Sequence, residues 1–228
     1  MTSMSKTFYM TDMSEEKQMD YISQLTERYP VLKVNENAIR DFCDALIRCY
    51  ESGGKLLVCG NGGSCADAEH ITGELMKGFL KTRPLSEERK AQMTDDVPQL
   101  EGIDLGKLQQ GLSAITLNSG VALTTAFAND CDPELIYAQQ VLGLGKKGDV
   151  FLGISTSGNA KNVFSAAAVA KSMGITTVAL SGRDGGRLKD VCDISIIVPE
   201  SETYIIQELH LPVYHAVCAT VEEYFFKD

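Results

Sequence analysis

Three histidines occur in the 228 residues, and one of them stands where a carboxylate can reach it. In GNGGSCADAEHITGEL, residues 60 to 75, His70 precedes Glu74 by four positions. Positions i and i+4 share one face of a helix, so both side chains can touch the same ligand. An imidazole beside a carboxylate can ligate a divalent metal or move protons. The same pair is also an ordinary contact on a helix surface, and spacing alone does not separate the two readings. The other histidines lie in IIQELHLPVYH, residues 205 to 215. At about 100° per residue, His210 sits about 300° round from Gln207, and His215 about 80° round and two turns further on. Either can face a pocket, and Pro212 loosens the angular argument because it removes one helical hydrogen bond.

Two turns have the composition of anion cradles: Gly60-Asn61-Gly62-Gly63-Ser64 and Ser155-Thr156-Ser157-Gly158-Asn159. In the second, successive backbone N–H groups and three hydroxyls can converge on one anion at the positive end of a helix. Such residues also cap helices, and Ser64 is a candidate cap for the helix that carries His70. Because each turn follows an apolar strand, a ligand at the strand ends is the favoured reading. Neither turn matches G-x-x-x-x-G-K-[ST], and no G-x-G-x-x-G follows the first strand, which argues against triphosphate hydrolysis and dinucleotide binding.

These groups need a frame. Apolar runs at KLLVCG (55–60), LSAITLNSG (112–120), GDVFLGIS (148–155), TTVALSG (176–182) and CDISIIVPE (192–200) alternate with helical stretches, the last from about 202 to 226. That alternation predicts an α/β protein with a parallel sheet covered by helices on both faces. Ahead of it, residues 14–29 and 34–52 read as two amphipathic helices divided at Pro30, suited to cover a core or to pair with a neighbouring subunit. Residues 81–111, with Pro84, Pro98 and many charges, fit the alternation poorly. They read as a partly helical insertion, a solvated loop in preference to a lid.

The formal charge of −10 argues against a nucleic-acid surface, since phosphate backbones are held by Lys and Arg. No apolar run reaches the roughly 18–20 residues of a membrane span, and the N-terminus lacks the layout of a signal peptide, so a cytoplasmic protein without a membrane partner is expected. Seven scattered cysteines with no C-x-x-C pair read as reduced, mostly buried thiols. The length suits one large domain.

Taken in order, GNGGS-x-x-DA-x-H-x-x-x-E, GDVFLGISTSGN, SGRDGG and QELH-x-x-x-x-H resemble the sugar isomerase (SIS) domain proteins of the phosphoheptose isomerase group, from about Asn35 to Glu222. The resemblance implies a three-layer α/β/α sandwich with a five-stranded parallel sheet, preceded by N-terminal helices. Residues 1–34 would be the helical segment and 35–228 the SIS domain, with the insertion at 81–111. It further implies a homotetramer with active sites at subunit interfaces, and conversion of sedoheptulose 7-phosphate to D-glycero-D-manno-heptose 7-phosphate. By matching positions, it implies a zinc ion on His70, Glu74, Gln207 and His215, with Glu74 and His215 as the acid/base pair. Asn61, Gly62, Gly63, Ser64 and Gln207 would meet the substrate, Ser155, Thr156 and Ser157 its phosphate, and Asn129 and Asp130 the sugar.

Aldose–ketose exchange through an enediol needs a base for the carbon next to the carbonyl and an acid/base group for the oxygens, which a Glu and a His can supply. Zinc would assist as a Lewis acid or as an organiser. Three positions depart from the family pattern: Ala160 replaces a serine after S-T-S-G-N, Gly78 an arginine, and Tyr204 an aspartate. The acid/base set is therefore complete while groups that read the sugar are altered. The competing expectation is a non-catalytic SIS protein, a phosphosugar-binding regulator or a replication-initiator-associating protein. Retention of both Glu74 and His215 favours the enzyme.

Overall fold

LLVCG and VFLGIS are apolar or small at every position, the pattern of strands covered on both faces. In the computed structural model, which describes residues 19–227, these runs are central strands of one sheet. Helices α1 (Tyr21–Arg28) and α2 (Glu36–Glu51) precede β1 (Leu56–Gly60) and α3 (Gly63–Met76). Next come α4 (Glu87–Asp96), β2 (Ala114–Thr116), α5 (Val121–Asp130) and α6 (Ile136–Leu144). The chain continues through β3 (Val150–Ser155), α7 (Lys161–Ser172), β4 (Thr176–Ser181), α8 (Gly186–Val191) and β5 (Ile194–Ile197), and α9 (Thr203–Phe225) closes it.

The strand order is β2-β1-β3-β4-β5, with every neighbouring pair parallel. Side chains alternate between two cores, as the pleat requires. Leu56 and Val58 pack with α1, α2, α3 and α9, whereas Leu57 and Cys59 pack with α6, α7 and α8. The expected three-layer sandwich is what the structure shows. Its strand order reverses between β1 and β3, and such a reversal opens a crevice beyond the strand ends. The turns at 60–64 and 155–159 leave those two strands side by side.

Buried polar residues fix the frame. Asp149, fully buried, accepts from the backbone N–H groups of Lys55 and Lys146 and from Lys55 Nζ, tying the starts of β1 and β3. Asn35 donates to Ile197 O and accepts from Ile197 N, both at 3.0 Å, which covers the exposed ladder of edge strand β5.

Several local expectations need refinement. The first helix starts at Tyr21, capped by Asp20, and residues 14–18 of the expected span lie outside the described residues. Ser64 does not cap α3: Gly62, at φ +57°, holds that position, and Ser64 is buried in the first turn against Gly60. The 81–111 stretch contains α4, which buries no side chain, and it returns through an antiparallel bridge between Pro84 and Gln109. Helix α9 runs on through Pro212. Five cysteines are buried as free thiols, Cys65 is half-buried and Cys131 is exposed. Among the described residues, no helix is long and apolar enough to cross a membrane.

His210 is fully buried on α9, and neither ring nitrogen has a hydrogen-bond partner. Burial holds its pKa down at about 4; the Ser181 main chain opposes this weakly without reaching hydrogen-bond geometry. Between about 6.5, where an unfolded imidazole titrates, and about 4, the unfolded chain binds the extra proton. Stability attributable to His210 is therefore present above that window and lost as the pH falls through it, by about 3 kcal/mol. Denaturant midpoints measured across the window will fall more steeply for the wild type than for His210→Leu. Equal slopes would show that His210 is not the group responsible.

Candidate active site

Two helices build the site. A Cβ on Gly63 would lie 2.3 Å from Gln207 Nε2, so the glycine is what lets the Gln207 amide rest on the start of α3. One and a half turns along α3 from Ser64, the faces of α3 and α9 bring three imidazole and carboxylate groups together. His70 Nε2 lies 3.0 Å from Glu74 Oε1, and the His70 and His215 rings stand 5.0 Å apart, edge to face. His70 Nδ1 lies 3.0 Å from the Tyr214 hydroxyl, which donates to Asp67 Oδ1 at 3.3 Å. Spacing alone left His210 and His215 as equals; the packing puts His215 at the cluster and His210 in the core.

The cluster is electrostatically unfinished. Glu74 Oε2, Asp67 Oδ2 and His215 Nε2 are buried atoms with no hydrogen-bond partner, and Lys77 Nζ reaches only to 3.6 Å from Glu74 Oε2. Such atoms are costly to leave bare, so a ligand that meets them gains accordingly. Burial, and then the neighbouring His70, hold the His215 pKa below the ordinary imidazole value against the opposing pull of Glu74. Burial, and then Asp67, push the Tyr214 hydroxyl well up, so it remains a neutral donor. A cleft of about 400 Å³ opens beside His215, between α1 and α9, walled by Arg28, Phe79 and Glu208.

At the crevice between β1 and β3, Asn118 donates to Gly60 O at 2.7 Å, and the Tyr137 hydroxyl donates to Asn61 Oδ1 at 3.0 Å. Asn162 on α7 bonds the Asn61 amide in both directions. Burial, and then Cys59, push the Tyr137 pKa up to about 12. The first turn is thus held by side chains from α6, α7 and the loop after β2. In the second turn, Gly158 at φ +64° packs on Gly185, where a Cβ would meet Gly185 O at 1.9 Å, so the SGRDGG segment buttresses S-T-S-G-N. Ser155 is buried, Thr156 and Ser157 are half-buried, and no side chain caps α7 from Ala160. Asn162 Oδ1 accepts from Val163 N, and the N–H groups of Lys161 and Asn162 in the first turn of this twelve-residue helix are left for an anion.

Asn129 and Asp130 end α5, are exposed and bond to each other at 2.8 Å. Among the described residues, neither is hydrogen-bonded to the glycine turn or to the imidazole–carboxylate cluster.

Sequence reasoning passed over Asp67, Tyr214, Asn118, Tyr137, Asn162 and Arg83. Asp67 carried a signal, since it sits one turn before His70 on the same face. Arg83 carried none, yet its side chain is fully buried: it donates to Leu75 O at 2.7 Å, to Glu74 O at 3.2 Å and to Glu222 Oε1 at 2.8 Å. Glu222 in turn accepts from the backbone N–H groups of Phe79, Leu80 and Lys81. The end of the helix that carries Glu74 is therefore anchored to α9.

Two imidazoles, a carboxylate and an amide are a donor set that zinc accepts, and the bare Glu74 Oε2 and His215 Nε2 fit such an ion. Among the described residues, no three His, Cys, Asp or Glu side chains are already gathered as a coordination shell.

The chain matches the SIS domain family over residues 20–111 and 106–182. It is 42 % identical over 185 residues to the phosphoheptose isomerase of Helicobacter hepaticus, a match covering 81 % of each chain. The structure of phosphoheptose isomerase from Neisseria gonorrhoeae superposes with a TM-score of 0.69 at 29 % identity, covering 88 % of this chain and 92 % of that one. For the enzyme from Francisella tularensis the TM-score is 0.68 at 30 % identity, over 89 % and 94 %. The fold thus agrees with the comparisons, and the chain belongs to the SIS domain family, within its phosphoheptose isomerase group.

Proposed function

We propose that this chain interconverts sedoheptulose 7-phosphate and D-glycero-D-manno-heptose 7-phosphate, as an aldose–ketose isomerase working through an enediol. The observation that carries the reading is the cluster in which His70 of α3 touches Glu74 on its own helix and stands against His215 of α9. Ser155, Thr156 and Ser157, with the first turn of α7, hold the phosphate. Asn61, Gly62, Gly63, Ser64 and Gln207 line the path to the reacting carbons, and Asn129 and Asp130 reach the sugar hydroxyls.

Glu74 takes the proton from the carbon beside the carbonyl and returns it to the neighbouring carbon. His215, neutral because burial lowers its pKa, passes a proton between the two oxygens. His70, Glu74, Gln207 and His215 would hold a zinc ion, whose contribution is Lewis-acid polarisation of the oxygens. The working form is a homotetramer in the cytoplasm, with a helical segment that includes α1 ahead of the SIS domain.

The test is turnover by the purified full-length chain. Sedoheptulose 7-phosphate and a panel of shorter ketose phosphates are incubated with zinc, and separately with a chelator, while aldose formation is followed by NMR. Formation of the aldoheptose phosphate is expected. Binding of the sugar phosphates without turnover under either condition would replace this reading with that of a non-catalytic phosphosugar-binding regulator.

A further inference from the structure

A tyrosine hydroxyl owns one hydrogen, and a carboxylate offers only acceptors. In this site the Tyr214 hydroxyl lies between two partners, Asp67 Oδ1 at 3.3 Å and His70 Nδ1 at 3.0 Å. Its hydrogen can serve only one of them. Asp67 has no hydrogen to give, so the hydroxyl donates to Asp67 and must accept from His70. His70 therefore carries a hydrogen on Nδ1.

The other face of the ring then follows. With Nδ1 protonated, a neutral His70 has its lone pair on Nε2, and that atom points at Glu74 Oε1 from 3.0 Å. Two electron-rich atoms facing each other at that distance repel unless a positive charge lies between them. The charge can be a proton or a divalent cation. Tyr214 is buried and held in place by the flanking rings, its own ring 5.0 Å from His215 and 5.5 Å from His70, both edge to face. The hydroxyl is thus poorly free to turn away.

We propose that Asp67 and Tyr214 form a brace that fixes His70 in its Nδ1–H form, so that the Nε2 lone pair and Glu74 Oε1 make a preformed seat for a proton or a divalent cation. Its use in catalysis rests on the isomerase reading above, but the brace itself does not. Tyr214 and Asp67 are positioning residues: they act through His70 and touch no reacting atom. With no cation in the seat, the proton that Glu74 takes from carbon can be shared with His70 Nε2 until it is returned. In zinc binding it presents the lone pair without a tautomeric rearrangement, the usual service of an outer partner to a ligating histidine.

The experiment reads the tautomer directly. Full-length chain labelled with 15N-histidine is examined by long-range 1H–15N correlation at a pH about 1.5 units above the ordinary imidazole pKa, with His70 assigned by its loss in His70→Gln. Wild type is expected to show a hydrogen on His70 Nδ1, with Nε2 sharing a proton with Glu74 or, once zinc is added, bound to the metal. Asp67→Ala frees the Tyr214 hydrogen for Nδ1, so His70 is expected to switch to the Nε2–H form although Tyr214 is still present. Tyr214→Phe, which keeps the ring and its packing, is expected to lose the Nδ1–H preference and to weaken zinc binding, measured by competition with a chromophoric chelator, 10- to 100-fold. A wild-type Nε2–H form, or variants with unchanged tautomer and zinc affinity, would overturn the brace. Because no arm depends on turnover, an inactive wild type with the Nδ1–H form intact would count against the isomerase and not against the brace.

Discussion

Glu74→Gln is expected to lower aldose–ketose turnover by two to four orders of magnitude while leaving the chain folded, the range by which a positioned general base accelerates such a step. Glutamine keeps the length and shape of the side chain and can still meet His70 through its amide, so α3 and its packing on α9 should survive. What it lacks is an oxygen able to take a proton from carbon. The carboxylate's second oxygen is buried without a hydrogen-bond partner, so within the site it is already stripped of the water that would compete for the proton. Initial rates and circular dichroism on the same preparations separate chemistry from folding. A variant that kept a tenth or more of the wild-type kcat would remove Glu74 from the proton path and leave His215 as the base to be tested.

The frame of this site was legible for a simple reason. Strands buried on both faces must be apolar throughout, and LLVCG and VFLGIS have no other use in a chain with no membrane-length run. The position of the crevice at the strand ends was harder: it follows from β1 lying between β2 and β3, a pairing that no local pattern encodes. Ser64 was misread because a serine after a glycine turn is a common cap, whereas here Gly62 adopts the positive φ that places the cap two residues earlier. Tyr214 is buried on α9, and its hydroxyl matters only because α3 presents Asp67 and His70 to it. His210 and His215 differ by where α9 meets the sheet and where it meets α3, a distinction set by packing and invisible to angular counting through Pro212.

The residue least readable in sequence has the largest expected effect on stability. Arg83 lies in a charged stretch that reads as solvated, yet both it and Glu222 are excluded from water, at 0 % and 1 % side-chain exposure. Glu222→Ala leaves the guanidinium buried without its counter-charge and strips three backbone N–H groups of their acceptor. Breaking a buried pair in this way costs about 3–5 kcal/mol. For a domain of this size the melting temperature should fall by about 10 °C. Replacing both partners, Arg83→Met with Glu222→Leu, removes the orphaned charge but not the three orphaned N–H groups, so stability should recover only in part. Urea titrations with an unchanged m-value would confirm that the loss is one of stability and not of a second transition. A loss below about 1 kcal/mol in Glu222→Ala would mean that water reaches Arg83 in solution, within the range of an exposed pair. Because the same guanidinium holds the last carbonyls of α3, the variant that survives should also lose turnover, through displacement of Glu74 and not through any contact with substrate.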